Sequence, residues 1–321
     1  MTADTLTLIN GAQISSITQG QGNAGNININ TPILQLNNGA INASTFSNAQ
    51  GGNINISAEE SVNLTGSVFI FNDVVSRQEH DPASISISAA SFASGRAGNI
   101  TLNTGQLQLQ DRALLGVSSF ETGDAGTLRV NASDIRLDNQ SIIDALTQSG
   151  EGGNINLQAH NSLQLRRNSS ITTNAIGTAT GGNININTGT LAALENSDIS
   201  ANSQQAQGGT VTINAQAIFG SVFRSRDELE RLLNTTDPLL LNPSRLPSSD
   251  ITATGANSSL SGTVTITTPD IDPTSGLLQL PETPVDATQL VASTCRRGKN
   301  QSEFTVTGRG GLPPNPYEAI A

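Results

Sequence analysis

The chain has 321 residues, of which 35% are apolar and 3% aromatic, with no tryptophan. A compact globule of this length would bury more aromatic surface, so the composition favours an architecture with a thin aliphatic interior. The net charge is −11 and Lys299 is the only lysine, which argues against nucleic-acid binding by phosphate neutralisation. No stretch approaches 18 consecutive apolar residues, so we expect no membrane-spanning helix.

A glycine followed by alternating polar and apolar residues recurs eight times along the chain. The first copy is Gly-Asn-Ile-Asn-Ile at residues 25–29, and the others begin at Gly52, Gly98, Gly126, Gly153, Gly182, Gly209 and Gly262. Alternation with a period of two predicts a half-buried β-strand, and the glycine marks the turn before it. Five of the seven intervals are 27 to 29 residues long, a spacing typical of a solenoid.

A second pattern, two alternating apolar residues with a third six positions later, supplies the rest of each coil. It first occurs at Leu6, Leu8 and Ile14. Further copies are Val62-Leu64-Ile70, Leu107-Leu109-Leu115, Ile135-Leu137-Ile143 and Leu163-Leu165-Ile171. The two patterns predict an all-β, right-handed parallel β-helix of about eight coils over residues 1–270, with three short strands per coil.

Stacking of these coils places equivalent residues in columns. We predict a buried column of Ile27, Ile54, Ile100, Leu128, Ile155, Ile184, Val211 and Val264. The asparagines beside them, at positions 26, 28, 53, 55, 154, 156, 183 and 185, are expected to form outward ladders. Such a neutral amide face is favoured as a stabilising feature, and glycan binding by it is the alternative.

Two intervals are longer than one coil and indicate insertions. The spacing of both patterns places them near residues 72–92 and 219–247. Ser225 and Glu228 form a capping box at the start of a helix predicted over 226–233. The regular pattern stops after Ile266, so residues 271–321 are predicted to form a Pro-rich C-terminal cap and tail.

The coils resemble the shafts of filamentous-haemagglutinin-like exoproteins of two-partner secretion systems. The tail is similar to the C-terminal end of cyanobacterial members of that family. The residues that carry the second resemblance are Cys295, Asp272-Pro273-Thr274-Ser275-Gly276-Leu277 and Phe304-Thr305-Val306-Thr307-Gly308-Arg309-Gly310-Gly311-Leu312-Pro313-Pro314-Asn315-Pro316.

This resemblance implies a secreted or cell-surface protein with a structural or adhesive role. The implied partners are an outer-membrane two-partner-secretion transporter and, at the surface, glycans or other cells. The family's export domain carries an Asn-Pro-Asn-Gly-Ile motif, whereas the Asn-Pro pairs here begin at 242 and 315. We therefore expect the chain to be the C-terminal piece of a longer exoprotein, with its export domain missing, or the product of a split reading frame.

The alternative function is a carbohydrate-active β-helix, a polysaccharide lyase or hydrolase. Such enzymes group carboxylates, or a carboxylate and a base, across adjacent coils. The candidates are Asp138 and Asp144 with Arg112, Arg166 and Arg167 nearby. The motifs of pectin hydrolases are absent, so turn-lining aspartates with solvated arginines, and no enzyme activity, are the favoured interpretation.

The remaining candidates for chemistry favour structural roles, and we predict no catalytic, cofactor or metal site. Asp270 and Asp272 are assigned to capping rather than to a cation. His80 and His160 have no ligand partner at metal spacing and are expected in solvent-facing loops. Cys295 is a free thiol, an intermolecular crosslink or an attachment point. Threonine pairs at 210/212 and 263/265 cover only two coils, too few for an ice-binding array.

Overall fold

A computed structural model describes residues 4–69 and 84–269 as an all-β solenoid of about eight turns, confirming the predicted fold class. Its α-helix is α1 (Arg226–Leu233), and 3-10 turns cover Pro243–Arg245 and Ser258–Leu260. In chain order the strands are β1 (Thr5–Ile9), β2 (Gln13–Ser15), β3 (Ile27–Asn37), β4 (Ala40–Asn42), β5 (Ile54–Thr65), β6 (Val68–Phe69), β7 (Ser84–Ile85), β8 (Ile87–Ser88), β9 (Ile100–Gln110), β10 (Leu114–Gly116), β11 (Thr127–Asp138), β12 (Ile142–Asp144), β13 (Asn154–Arg166), β14 (Ser170–Thr172), β15 (Asn183–Ala193), β16 (Asp198–Ser200), β17 (Thr210–Phe219), β18 (Ser221–Phe223), β19 (Ser249–Thr252) and β20 (Thr263–Thr267).

The long strands form one parallel sheet in the order β1-β3-β5-β9-β11-β13-β15-β17-β20. Most of them contain both sequence patterns of a coil in one continuous strand. The pairing shifts register near the middle, between Ala58 and Ser61 in β5 and between Ala132 and Asp134 in β11. Such bulges bend a strand without ending it. Two of the three strands predicted for each coil are therefore one bent strand.

The short strands form a second parallel sheet in the order β18-β19-β16-β14-β12-β10-β8-β4-β2. These strands contain the third apolar residue of each coil. After each of them comes a column of single-residue parallel bridges that runs from Thr18 to Ser203. Each coil thus has a long strand, a short strand and a single residue that pairs with the neighbouring coils, whereas the sequence predicted three short strands.

The core between the two sheets consists of several aliphatic columns, and the predicted column is one of them. Ile54, Ile100, Leu128, Ile155 and Ile184 are completely buried. Each such side chain contributes about 1.5–3 kcal/mol when removed from water. Val264, in the last long strand, is only partly buried because the described part of the chain places no further coil over it.

The turn between a long and a short strand uses residues in the left-handed region. Asn139 and Gln140 have φ of 53° and 62°, and the equivalent Arg167 and Asn168 have φ of 51° and 60°. Asparagine tolerates this conformation better than most residues. Both insertions leave the solenoid at this same turn. It is occupied there by Gly66 and Gly220, which have φ of 70° and 80°.

The first insertion begins and ends earlier than predicted. Ile87, not Ile70, pairs with Ile41 and Leu115 in the short-strand sheet. The chain leaves after Gly66, and β6 and β7 pair antiparallel at the base of the insertion. The predicted interval 72–92 is therefore displaced, since spacing alone does not tell which isoleucine rejoins the coil. Residues 70–83 lie outside the described part.

The second insertion contains the predicted helix with the predicted bounds. The Ser225 hydroxyl accepts from the Glu228 amide at 3.3 Å, and a Glu228 carboxylate oxygen accepts from the Ser225 amide at 3.1 Å. After the helix, Ile251 of β19 pairs with Ile199 of β16 and restores the coil. Strand β18, which precedes the helix, pairs with the far side of β19. The predicted cap and tail at 271–321 lie outside the described residues.

Candidate functional site

Two rows of polar side chains follow the outer face of the long-strand sheet. They sit two positions apart on each strand, so both face outward. The first row is Asn28, Asn55, Thr101, Arg129, Asn156 and Asn185, and the second row is Asn30, Ser57, Asn103, Asn131, Gln158 and Asn187.

The two rows border a shallow groove that crosses the six strands from β3 to β15. It consists of two depressions of about 290 and 300 Å³. Thr101 and Asn103 line both depressions, so the two depressions adjoin each other. Leu102 and Val130 contribute to the floor between the rows. We call this surface, with its two rows, the amide groove.

The asparagines form the outward ladders that the sequence predicts. In the first row, Asn55 Nδ2 donates to Asn28 Oδ1 at 2.9 Å, and Asn185 Nδ2 donates to Asn156 Oδ1 at 3.1 Å. Equivalent side-chain bonds join asparagines that precede the first row, from Asn99 to Asn53 and from Asn183 to Asn154. The Asn53 backbone amide donates to Asn26 Oδ1. These ladders fix the side-chain positions at both ends of the amide groove.

The first-row ladder is interrupted in the middle of the amide groove. Thr101 and Arg129 replace asparagine on the adjacent strands β9 and β11. Arg129 is exposed, and within residues 4–69 and 84–269 its guanidinium has no hydrogen bond or ion pair. In the same described ranges, the side chains of Thr101 and Asn103 also have no hydrogen-bond partner. The interruption therefore places one cationic side chain, without a partner in the described part of the chain, at the centre of the amide groove.

Asp138, the first predicted carboxylate, is held in an arginine clamp. Arg167 donates from Nε and Nη2 to its two carboxylate oxygens, each at 2.7 Å, and Arg136 Nη2 donates at 3.0 Å. Burial alone would raise the pKa of Asp138, but the hydrogen bonds and charges of the two arginines outweigh it and lower that pKa. This geometry locks the turn and leaves the carboxylate fully engaged.

The other predicted arginines are also engaged in the turn. Arg166 Nη2 donates to Glu195 Oε1 at 2.7 Å, and Arg112 Nε donates to Gln140 Oε1 at 2.9 Å. Each bond joins neighbouring coils. The predicted set is thus divided among turn contacts and does not surround a common reacting position.

Asp144, the second predicted carboxylate, is not in the turn but is completely buried on the short strand β12. Burial raises its pKa to about 7, and a hydrogen bond with Ser118 only partly opposes this. Its Oδ1 has no hydrogen-bond partner. Both carboxyls are 2% exposed, but within the described residues Asp138 has two arginine partners and Asp144 has none. The prediction of a turn-lining aspartate is wrong for Asp144, which lies in a strand.

A second pair of buried carboxyls, which the sequence analysis missed, lies beside the helical insertion. Asp198 and Asp250 occupy equivalent positions on β16 and β19. Burial raises the pKa of Asp198 to about 7. The Asp250 backbone amide donates to Asp198 Oδ1 at 2.8 Å and lowers this pKa, whereas the negative charge of Asp250 raises it further. Arg224 Nε donates to Asp250 at 3.1 Å, so this pair fixes the base of the insertion.

The other residues singled out from the sequence are placed as follows. His160 is exposed as predicted but lies in strand β13 rather than in a loop, with Nε2 3.1 Å from Asn131 Oδ1. The threonine pairs stack on β17 and β20. In the described part of the chain, no three His, Cys, Asp or Glu side chains converge as metal ligands. His80, Asp270, Asp272 and Cys295 lie outside the described residues.

Comparison with protein-family models, curated proteins and solved structures gives no match to this chain. Among the residues that the structure describes, no helix has the length and apolar character needed to cross a membrane.

Proposed function

We propose that the chain is a non-catalytic β-helical shaft displayed at the cell surface. In this proposal it is the distal part of a longer filamentous-haemagglutinin-like exoprotein, exported by an outer-membrane two-partner-secretion transporter. The observation that carries the proposal is the uniform stack of coils with a continuous polar outer face. A stack of this kind provides length and a repeated binding surface without a catalytic centre.

The surface chemistry supports an adhesive role. Only 13% of the residues are charged, and the outer face of the long-strand sheet consists mainly of amides and hydroxyls. Neutral amides both donate and accept hydrogen bonds, which suits contact with the hydroxyls of glycans. The helical insertion that leaves after Gly220 adds a second, irregular element to the regular shaft.

The arrangement of the carboxylates favours this role over a polysaccharide lyase or hydrolase. A glycosidase needs two carboxyls on either side of the scissile bond. Asp138 is fully occupied by Arg136 and Arg167, while Asp144 is completely buried on another strand. The amide groove contains neither residue.

The test is the location of the chain on intact source cells. An antibody against the insertion at 219–247 would follow release of this segment when unbroken cells are treated with a protease. Release from unbroken cells is the expected result, and a cytosolic marker protein that stays intact controls for lysis. An epitope that remains protected until the cells are broken would contradict surface display.

A further inference from the structure

The centre of the amide groove contains Arg129, the one charged residue that lines either depression. Its guanidinium has no partner in the described part of the chain, while the first-row asparagines on either side pair with each other. We propose that the amide groove binds an extended polysaccharide that carries carboxylate groups, with Arg129 pairing with one carboxylate. This inference rests on the proposed surface role and adds the ligand class and the residue that selects it.

Charge complementarity favours an acidic ligand at this position. The chain has a net charge of −11, yet no Asp or Glu lines either depression of the amide groove. The acidic residues on the six strands all lie at or after the bend: Glu59, Glu60, Asp134 and Asp138. A carboxylated polymer is therefore repelled by most of the molecule and accommodated beside Arg129.

The side chains of the amide groove match the hydrogen-bonding groups of a sugar. An Asn amide presents donors and an acceptor, and a Thr hydroxyl presents both, so each can bond a sugar hydroxyl. Arg129 presents a planar fork of donors that fits a carboxylate. On the neighbouring strand β13 the equivalent residue is Asn156, which belongs to the asparagine ladder and is uncharged.

The repeat of the coils fits a chain of sugars better than a peptide. One coil rises about 4.8 Å, a length similar to one sugar unit in an extended polysaccharide, and six strands span about 24 Å. The inner strands β5 to β13 have neighbours on both sides, so their backbone groups are already paired. A peptide that binds by adding a strand requires a free sheet edge. The amide groove offers side chains only, as a polysaccharide requires.

The experiment measures binding of the full chain to polygalacturonate and to alginate, two carboxylated polymers. Fully methyl-esterified polygalacturonate and dextran serve as uncharged probes. The test variant is Arg129→Asn, which continues the asparagine ladder and is therefore expected to fold. The matched control is Arg112→Asn, which removes the same charge from an exposed turn where φ is 67° and asparagine is well tolerated.

We expect at least one carboxylated polymer to bind, and to bind more tightly than either uncharged probe. Arg129→Asn should weaken this binding about threefold to tenfold, as expected for one exposed charge-assisted contact. Arg129→Lys should recover part of the loss, and Arg112→Asn should bind like the parent chain. Higher salt should weaken the parent complex more than the Arg129→Asn complex.

Three results would overturn the inference: no binding of either carboxylated polymer, equal binding of the methyl-esterified form, or no effect of Arg129→Asn. None of them touches the proposed surface shaft, because that proposal is tested by protease access on intact cells. Conversely, a protected epitope with normal polymer binding would reject surface display and leave the ligand class in place.

Discussion

The buried carboxyl of Asp144 occupies a position where neighbouring coils have small neutral residues. Equivalent positions are taken by Ser88, Gly116, Thr172 and Ser200. A Cβ atom on Gly116 would lie 2.0 Å from Asp144 Oδ1, so the carboxyl fills the space that glycine leaves open. The sequence pattern shows that an aspartate interrupts this column, but only the packing shows that it is completely buried.

The raised pKa of Asp144 makes its effect on stability depend on pH. The carboxyl has a pKa of about 7 in the folded chain, above the ordinary value of 3.8. The folded state therefore binds the proton more tightly than the unfolded state does. The stabilisation from this proton is complete below about pH 4 and is lost as the pH rises through about 7.

We predict that Asp144→Thr stabilises the chain at pH 8, because it places at this position the residue that occupies the next coil. The free energy of unfolding should rise by about 1–3 kcal/mol at pH 8 and change much less near pH 4.5. Urea unfolding at the two pH values measures this. Asp111→Asn, at an exposed turn position, is the control and should show no such difference. An equal effect of Asp144→Thr at both pH values would contradict the assignment.

The exposed position of Arg129 could be predicted from the sequence, but its lack of a partner could not. The pattern Gly126-Thr127-Leu128-Arg129-Val130 places this arginine in an outward row without any structure. Whether it is paired depends on neighbours that are 27 or 28 residues away in the chain. The same holds for Asp138, whose partner Arg167 is 29 residues away in the chain. Its second partner, Arg136, is two residues away and was not among the residues predicted from the sequence.

At the scale of elements, the helical insertion has a small core of its own. Leu229, Leu241 and Leu246 are buried together, with Leu233 partly buried against them. Arg226 is 4% exposed and connects helix α1 to the chain after β19 by donating a hydrogen bond to the Gly255 carbonyl. It also donates to the Thr236 carbonyl at 2.9 Å. The insertion is therefore packed by few contacts and should open locally before the solenoid unfolds.

We predict that Leu229→Ala increases protease cleavage within 226–247 much more than it lowers global stability. A buried Leu→Ala substitution costs about 2–5 kcal/mol, and here that cost falls on the local opening of the insertion. Limited proteolysis with mapping of the first cleavage site measures the effect. The control is Leu232→Ala on the same helix, where the side chain is 45% exposed. Equal cleavage rates for the two variants would argue against a separate insertion core.

The elements that could be predicted from the sequence are those with local signals. Helix α1 was located correctly because Ser225 and Glu228 form a capping box before an amphipathic run. The bend that joins two predicted strands was missed, since a bulge leaves the period-two pattern nearly intact. The assignment of Ile70 to the coil was wrong, because Ile70 fits the spacing from Leu64 whereas Ile87 fits the spacing to Gly98, and only strand pairing decides between them.

At the scale of the whole molecule, the core consists of parallel aliphatic columns that are shared by the coils. Each coil contacts only its neighbours, so the cost of a cavity depends on its place in the stack. We predict that Ile155→Ala, in the middle of its column, costs about 2–5 kcal/mol in the free energy of unfolding. Val264→Ala, at the partly buried end, should cost less than about 1 kcal/mol. Urea unfolding of both variants measures the difference, and similar losses would contradict a continuous column.

Both proposals about function depend on coils that stack in unbroken register across the amide groove. The most direct test is the distance between spin labels at positions 28 and 185, introduced as Asn28→Cys and Asn185→Cys with Cys295→Ser, which removes the only natural cysteine. These residues are five strand steps apart in the long-strand sheet, from β3 to β15. Pulsed electron paramagnetic resonance should give one narrow distribution of label-to-label distances centred near 24 Å, because each step adds about 4.8 Å. A broad distribution, or a distance beyond about 40 Å, would show that the coils do not stack at about 4.8 Å per step. Either result would contradict a groove that crosses all six strands.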